Sequence, residues 1–335
     1  METVFTPLAA RLAAGEDAML CVIVASEGST PRGAGAMMAV FADGTFAGTI
    51  GGGAVEYAAL QRAQQLLREQ RSDSERFSLR TDGADTLGMI CGGDVTVAFR
   101  LLHGEAALLP ARAAEQLLAQ RVDCWLVLSL DPAVPNGIGL YDASGGLRFL
   151  PEADEMELRS QLGRRPVLTA GAPQYFLLPL GSAARIYVFG GGHVSQALVP
   201  LLAWLDYHVV VLENRAEFAV PERFPGAERV TLTTFSCFAA ETVVGPRDGI
   251  VIMTRGHQDD YAVLQQALRT DAGYVGVIGS RRKAALTLER LADDGFSEAD
   301  RARVHTPIGL PIGAETPGEI AVSVAAELIR FRAGL

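Results

Sequence analysis

The chain has 335 residues, of which 49% are hydrophobic and 20% charged, and its formal net charge is −10. Such a composition fits a globular protein with a sizeable core in two or three domains. Its acidity excludes the basic footprint of a nucleic-acid binder, and no run of about 20 apolar residues is present to span a membrane.

The first twenty residues lack a cationic start followed by an apolar core, so a cytoplasmic protein is expected. Cys21, Cys91, Cys124 and Cys237 form no C-x-x-C pair. Their number and spacing fit reduced thiols rather than a disulfide framework or a zinc site.

In chain order, residues 3–14 set Val4, Leu8 and Leu12 on one helical face. Residues 18–26 read as an apolar strand that runs into the loop EGSTPRGAGAMM. Strands at 37–41 and 46–49 flank the hairpin signal Asp43-Gly44. The segment Ile50-Gly51-Gly52-Gly53 then lies between a strand and a helix that reaches about residue 69, where backbone N–H groups can face an anion.

A strand at 76–81, the glycine-rich loop 81–95 with Cys91, and a strand at 95–102 complete a first α+β core, residues 1–105. Residues 106–180 read as an extension of it: a helix at 110–120, a strand at 124–130, a hairpin at 137–150 turning at Ser144-Gly145-Gly146, a short helix at 152–162, and one or two strands at 166–179. The boundary falls at Gly181-Ser182, and residues 183–335 form the second domain.

That domain opens with a strand at 186–189, the triplet Gly190-Gly191-Gly192, a helix through Val194, Leu198, Leu201 and Leu202, and a strand at 208–212 closed by Glu213. The fingerprint reads Gly190-x-Gly192-x-x-Ser195, with a small residue at the third position. Strand–glycine turn–helix–strand–acid is the signature of a dinucleotide fold: the helix start receives a pyrophosphate and the acid accepts a ribose hydroxyl. Further strands at 229–233, 249–254, 274–278 and 303–305 alternate with helices, which implies a doubly wound parallel sheet. The loops after Phe189, Leu212, Thr254 and Ile278 then share its ligand edge.

Four places carry candidate chemistry. Cys91 in GMICGGD is either a reachable thiolate or a small buried residue. Arg32, the Gly51–Gly53 turn and Glu56 suit an anionic ligand, or are structural turns with a first-turn carboxylate. In TRGHQDD, His257 can act as acid, base or metal ligand, while Asp259 or Asp260 caps the next helix. In GVIGSRRK, Ser280 is a helix cap, and Arg281, Arg282 and Lys283 form a positive cluster near the sheet edge or a solvated helix face. His193 either faces the ligand or merely begins its helix.

The segments EGSTPRGAGAMM, GTIGGGAVE, GMICGGDV, FGGGHVSQAL, TRGHQDD and YVGVIGSRRK occur in that order. Together they resemble the xanthine dehydrogenase accessory family of the XdhC/CoxI type. The resemblance implies an amino-terminal glycine- and cysteine-motif domain and a carboxy-terminal Rossmann-like one. It also implies a maturation factor that binds molybdenum cofactor, supports its sulfuration with a cysteine desulfurase, and delivers it to a xanthine dehydrogenase-type molybdenum hydroxylase. On that basis Cys91 contacts the molybdenum or handles the sulfur; Arg32, Gly51, Gly52 and Gly53 face the pterin phosphate; and Gly190 to His193 form the Rossmann ligand loop. Glu213 and Arg215 stand where the family often has an aspartate-rich sequence, which leaves the nucleotide, NAD(P) or another, open. Such a factor is more a cofactor chaperone than an enzyme, although an NAD(P)-dependent oxidoreductase and a nucleotide-sensing scaffold both compete. Homodimerisation is the expectation set by the statistics of soluble proteins.

Overall fold

A computed structural model describes residues 2–79, 92–120, 122–181, 184–236, 238 and 242–334. The chain separates into two compact units, Met1–Ala183 and Ala184–Leu335.

In the first unit, helix α1 (Glu2–Ala13) precedes strands β1 (Ala18–Glu27), β2 (Met37–Phe41) and β3 (Phe46–Thr49). Helix α2 (Gly53–Glu69), strands β4 (Asp73–Ser78) and β5 (Asp94–Leu102) and helix α3 (Gly104–Ala119) follow. The strands form an antiparallel sheet in the order β3-β2-β1-β5-β4. The apolar run in β1 is explained by burial on both faces. Leu20, Val22 and Val24 pack with Val4, Phe5 and Leu8 of α1 and Ala107, Ala111 and Ala114 of α3. The alternate residues Met19, Cys21 and Ile23 pack with Val55, Ala59, Ala63 and Leu66 of α2.

A second antiparallel sheet covers the other side of α1 and α3. Its strands are β6 (Cys124–Ser129), β7 (Ile138–Asp142), β8 (Gly146–Arg148), β9 (Val167–Leu168) and β10 (Tyr175–Gly181), in the order β8-β7-β6-β10-β9. Leu126, Leu128, Phe176 and Leu178 join the α1–α3 core. Helix α4 (Glu155–Arg159) lies between β8 and β9 in the chain.

Two elements differ from expectation. Helix α3 starts at Gly104 and holds Pro110 inside it, so this proline marks no helix start. Strand β4 lies three residues earlier than the pattern suggests, because Asp73 pairs with Phe99 and Ser78 with Asp94.

The second unit is a parallel sheet of β11 (Arg185–Phe189), β12 (His208–Glu213), β13 (Arg229–Leu232), β14 (Gly249–Ile252), β15 (Tyr274–Val277) and β16 (Val304–His305). Their order is β13-β12-β11-β14-β15-β16, the doubly wound Rossmann order. Helices α5 (His193–Trp204) and α9 (Pro317–Arg332) cover one face through Leu198, Val199, Leu202, Val324 and Leu328. Helices α6 (His257–Leu268) and α7 (Arg281–Asp293) cover the other through Val263, Leu264 and Leu291. A short helix, α8 (Glu298–Ala302), precedes β16. The chain is therefore α/β, with an α+β unit followed by a Rossmann-like parallel sheet. Among the described residues no helix is long and apolar enough to cross a membrane.

Candidate functional site

The strand order reverses between β11 and β14. At that switch point a crevice opens beyond the carboxyl ends of the strands, where ligands of such sheets sit. Gly190 makes the turn at φ +101°, and a Cβ there would lie 2.4 Å from the Met253 carbonyl oxygen. Only glycine combines that dihedral with that approach. Helix α5 begins at His193, its cap residue Gly192 makes no side-chain capping bond, and Ser195 is buried at the close-packing position. A cavity of about 380 Å³ lies here, lined by Gly192, His193, Arg215, Phe218, Thr254 and Arg255. Two arginines and a helix start make it suited to an anion.

Glu213 does not serve as the expected free acceptor for a ribose hydroxyl. It is 1% exposed. One oxygen accepts the amides of Asn214 and Arg215 and the Arg215 Nε, each at 2.9 Å. The other accepts the Gly191 amide and, at 2.9 Å, the Arg215 Nη2. Burial alone pushes this carboxyl up, but the bonds from Arg215 and the Gly191 amide outweigh it and hold it below the ordinary range. Arg215 in turn lies over the Phe218 ring, 3.9 Å from its centroid. The pair fixes the glycine turn, and Arg255 is the exposed cation of the pocket.

A second cavity, of about 580 Å³, opens between α6 and α7, with His257, Asp260, Ser280 and Lys283 in its wall. Asp260 does not cap α6, whose cap residue is Gly256. One Asp260 oxygen accepts the Thr254 amide at 2.9 Å and its hydroxyl at 2.6 Å; the other accepts Lys283 Nζ at 2.5 Å. Asp259 accepts from Asn214 Nδ2 at 3.2 Å. Ser280 does cap α7, accepting the Lys283 amide at 3.2 Å. Of the basic cluster, Arg281 is exposed and outside the cavity lining, whereas Lys283 turns inward. The charged cluster was legible, but which of its members faces inward was not.

In the first unit the glycine turn is already filled from within. Glu56 accepts the Thr49 hydroxyl, the Ile50 amide at 3.1 Å and the Gly52 amide at 3.2 Å. The turn is therefore not an open anion cradle, because the Glu56 carboxylate takes the amides of Ile50 and Gly52 and the Thr49 hydroxyl takes that of Gly51 at 3.1 Å. Burial alone raises the Glu56 carboxyl, but the Thr49 hydroxyl and these amides win and hold it low.

The loop of Arg32 lies against this turn: a Cβ on Gly51 would meet Pro31 Cβ at 3.1 Å and the Arg32 amide nitrogen at 3.5 Å. Arg32 itself is exposed and borders a cleft of about 380 Å³ with Gly33, Gly35 and Thr49. Gly93 closes in on the same loop, since a Cβ there would lie 2.5 Å from the carbonyl oxygens of Glu27 and Ser29. Three glycine segments thus share one end of the first sheet.

Cys91 and Cys237 lie outside the described residues. Cys21 and Cys124 are buried and form no disulfide, and burial pushes the Cys21 thiol up, which makes it unreactive. Among the described residues no group of three or more His, Cys, Asp or Glu is arranged to hold a metal ion.

Comparison with known proteins agrees with this two-part organisation. Residues 186–328 match the XdhC Rossmann domain, and residues 11–78 match the XdhC and CoxI family. The chain is 27% identical over 340 residues to a protein of Bacillus subtilis (strain 168) named as a probable xanthine dehydrogenase subunit, covering 98% of this chain and 97% of that one. It is 24% identical over 321 residues to "Molybdenum cofactor insertion chaperone PaoD" of Escherichia coli (strain K12), covering 96% and 85%. A third relative, "Uncharacterized protein YqeB" of the same E. coli strain, is 28% identical over 310 residues; the match covers 92% of this chain but spans only 42% of that protein. A crystal structure described as a xanthine dehydrogenase from Bacillus halodurans has the same fold, with a TM-score of 0.76, 22% identity, and coverage of 99% and 96%.

Proposed function

Because the chain belongs to the XdhC and CoxI family, we propose that it is a maturation factor for a molybdenum enzyme of the xanthine dehydrogenase type. In this reading it binds molybdenum cofactor as cargo, supports its sulfuration by a cysteine desulfurase, and hands it to the apo-enzyme. It acts as a chaperone and does not turn over a substrate. The match to a relative named as a cofactor insertion chaperone, over 96% of this chain, supports the role.

The observation that carries the reading is the convergence of Gly51, Arg32 and Gly93 at one end of the first sheet. Cys91 stands two residues before Gly93 in the chain, and Gly93 lies against the loop that leads to Arg32, whose guanidinium suits a phosphate. Cys91 is the proposed contact for molybdenum or sulfur. Arg32 and the Gly51–Gly53 amides are the proposed phosphate contacts, and the cargo must displace the Glu56 carboxylate from the Gly52 amide and the Thr49 hydroxyl from the Gly51 amide.

Protein purified from molybdenum-replete cells should carry molybdenum and a fluorescent pterin, and should activate a xanthine dehydrogenase-type apo-enzyme. Cys91→Ala should lower both bound molybdenum and activation. Full values of both in that variant remove Cys91 from the mechanism.

The Rossmann strand order and the switch-point cavity support a second reading, binding of NAD(P) or another nucleotide in the second unit. Calorimetric titration with NAD and NADP tests it, with Arg255→Ala as the variant expected to weaken binding.

A further inference from the structure

The 335 residues hold 28 arginines and a single lysine, Lys283. A chain that meets its need for positive charge almost entirely with arginine keeps one ammonium, and that ammonium is turned inward. Lys283 Nζ donates to Asp260 at 2.5 Å and to the Ile278 carbonyl at 3.2 Å. Arginine is not a substitute for such a compact charge with three rotatable donors. The lysine also stands in the wall of the α6–α7 cavity, about 580 Å³, within the usual range of roughly 300–1,000 Å³ for small-molecule sites.

The remaining lining specifies the occupant. Leu264 and Val277 are buried, and Leu286, 57% exposed, is the bare apolar side chain of the lining. Three cations, Arg282, Lys283 and Arg290, line the cavity against one carboxylate, Asp260. Arg290 is stacked over the Tyr261 ring, 3.8 Å from its centroid. An apolar lining with a surplus of positive charge suits a molecule that is flat or apolar over most of its body and negative at one end.

The geometry points to the α6–α7 cavity as a separate binding site for a small amphipathic organic anion, with its charged end at Lys283 and Arg282 and its apolar body against Leu264 and Leu286. The site is distinct from the switch-point cavity and does not depend on the maturation role. Asp260 joins the two, since one of its oxygens holds Thr254 in the lining of the first cavity and the other holds Lys283 in the wall of the second.

Titration of the full chain with 8-anilinonaphthalene-1-sulfonate, an aromatic anion, tests this. The expected result is one saturable site per chain, weakened about tenfold or more by Leu286→Glu and by Arg282→Glu. Both positions are exposed, so the fold should be retained in circular dichroism, which Lys283→Met does not guarantee. Bound dye should also slow acetylation of Lys283 by an N-hydroxysuccinimide ester, relative to the amino terminus, in peptide mapping. Equal affinity in the Leu286 and Arg282 variants, loss of binding in Trp204→Glu on the bare face of α5 instead, or unchanged acetylation of Lys283 each overturns the assignment.

Discussion

Each unit of this protein contains a glycine turn before a helix, and each turn has a glutamate bonded to its amides. The two glutamates are held differently. Glu213 is buried and carries a bidentate Arg215, so the charge is balanced inside the protein. Glu56 is half-buried, bonds only a hydroxyl and amides, and pairs with no cation among the described residues. A carboxylate with its own cation is a permanent fastening of the turn. A carboxylate without one occupies the position an incoming anion would take, and it can be displaced. The same residue type at two glycine turns is therefore a cation-paired clasp in one unit and, under the proposed function, the group that the cargo displaces in the other.

The sharpest way to break this contrast is to remove the acids. Glu213→Ala strands Arg215 and frees the Gly191 amide, and should lower the stability of the second unit by about 3 kcal/mol or more, read from denaturant unfolding. Gly190→Ala should cost about 3 kcal/mol, since it adds a Cβ 2.4 Å from a carbonyl oxygen at a left-handed dihedral. Gly52→Ala should cost about 2 kcal/mol, less than Gly190→Ala, because its φ of +71° with ψ of −177° is glycine-only backbone but a Cβ there meets nothing within 4 Å. Glu56→Ala should cost about 1 kcal/mol, the scale of a lost helix-start acceptor, and should improve binding of inorganic phosphate at the first unit. Phosphate affinity that does not rise there means that Glu56 is a clasp as well.

Acidification sharpens the same comparison. Both carboxyls are held below their ordinary range. Their contribution is therefore complete above the ordinary carboxylate pKa and is lost as pH falls through the depressed folded values. The wild-type unfolding midpoint should drop between about pH 5 and about pH 2 more steeply than that of Glu213→Gln. A parallel pair of curves would mean that the Glu213 fastening adds nothing.

The second unit was readable in the sequence because its strands are buried on both faces and its turns are glycine. Continuous apolar runs and a fingerprint leave few alternatives for residues such as Ile186 to Glu213. The first unit was harder. Its two antiparallel sheets share α1 and α3, a long-range arrangement that no local pattern near residues 124–129 or 175–181 encodes. The pattern places a helix at 110–120, yet α3 starts at Gly104 and runs through Pro110, with Ala107 and Ala111 packed in the core. At the site level, residue type indicated that Glu213, Glu56 and Asp260 were important but not what they bond. The acceptor geometry that turns Glu213 toward Gly191 and Asp260 toward Thr254 exists only once the sheet has assembled. Lys283 did carry a signal in composition alone, as the one lysine beside 28 arginines.

That lone amine has a chemical consequence. Guanidinium groups do not react with acetyl donors or cyanate under mild conditions, so an arginine-coated surface is inert to the acylation that marks lysine-rich proteins. Apart from the amino terminus, Lys283 is the one amine of this chain at which an acyl group can form a stable amide. There it would erase the ammonium, leave Asp260 without its counter-charge, and loosen the grip on Thr254 at the edge of the neighbouring cavity.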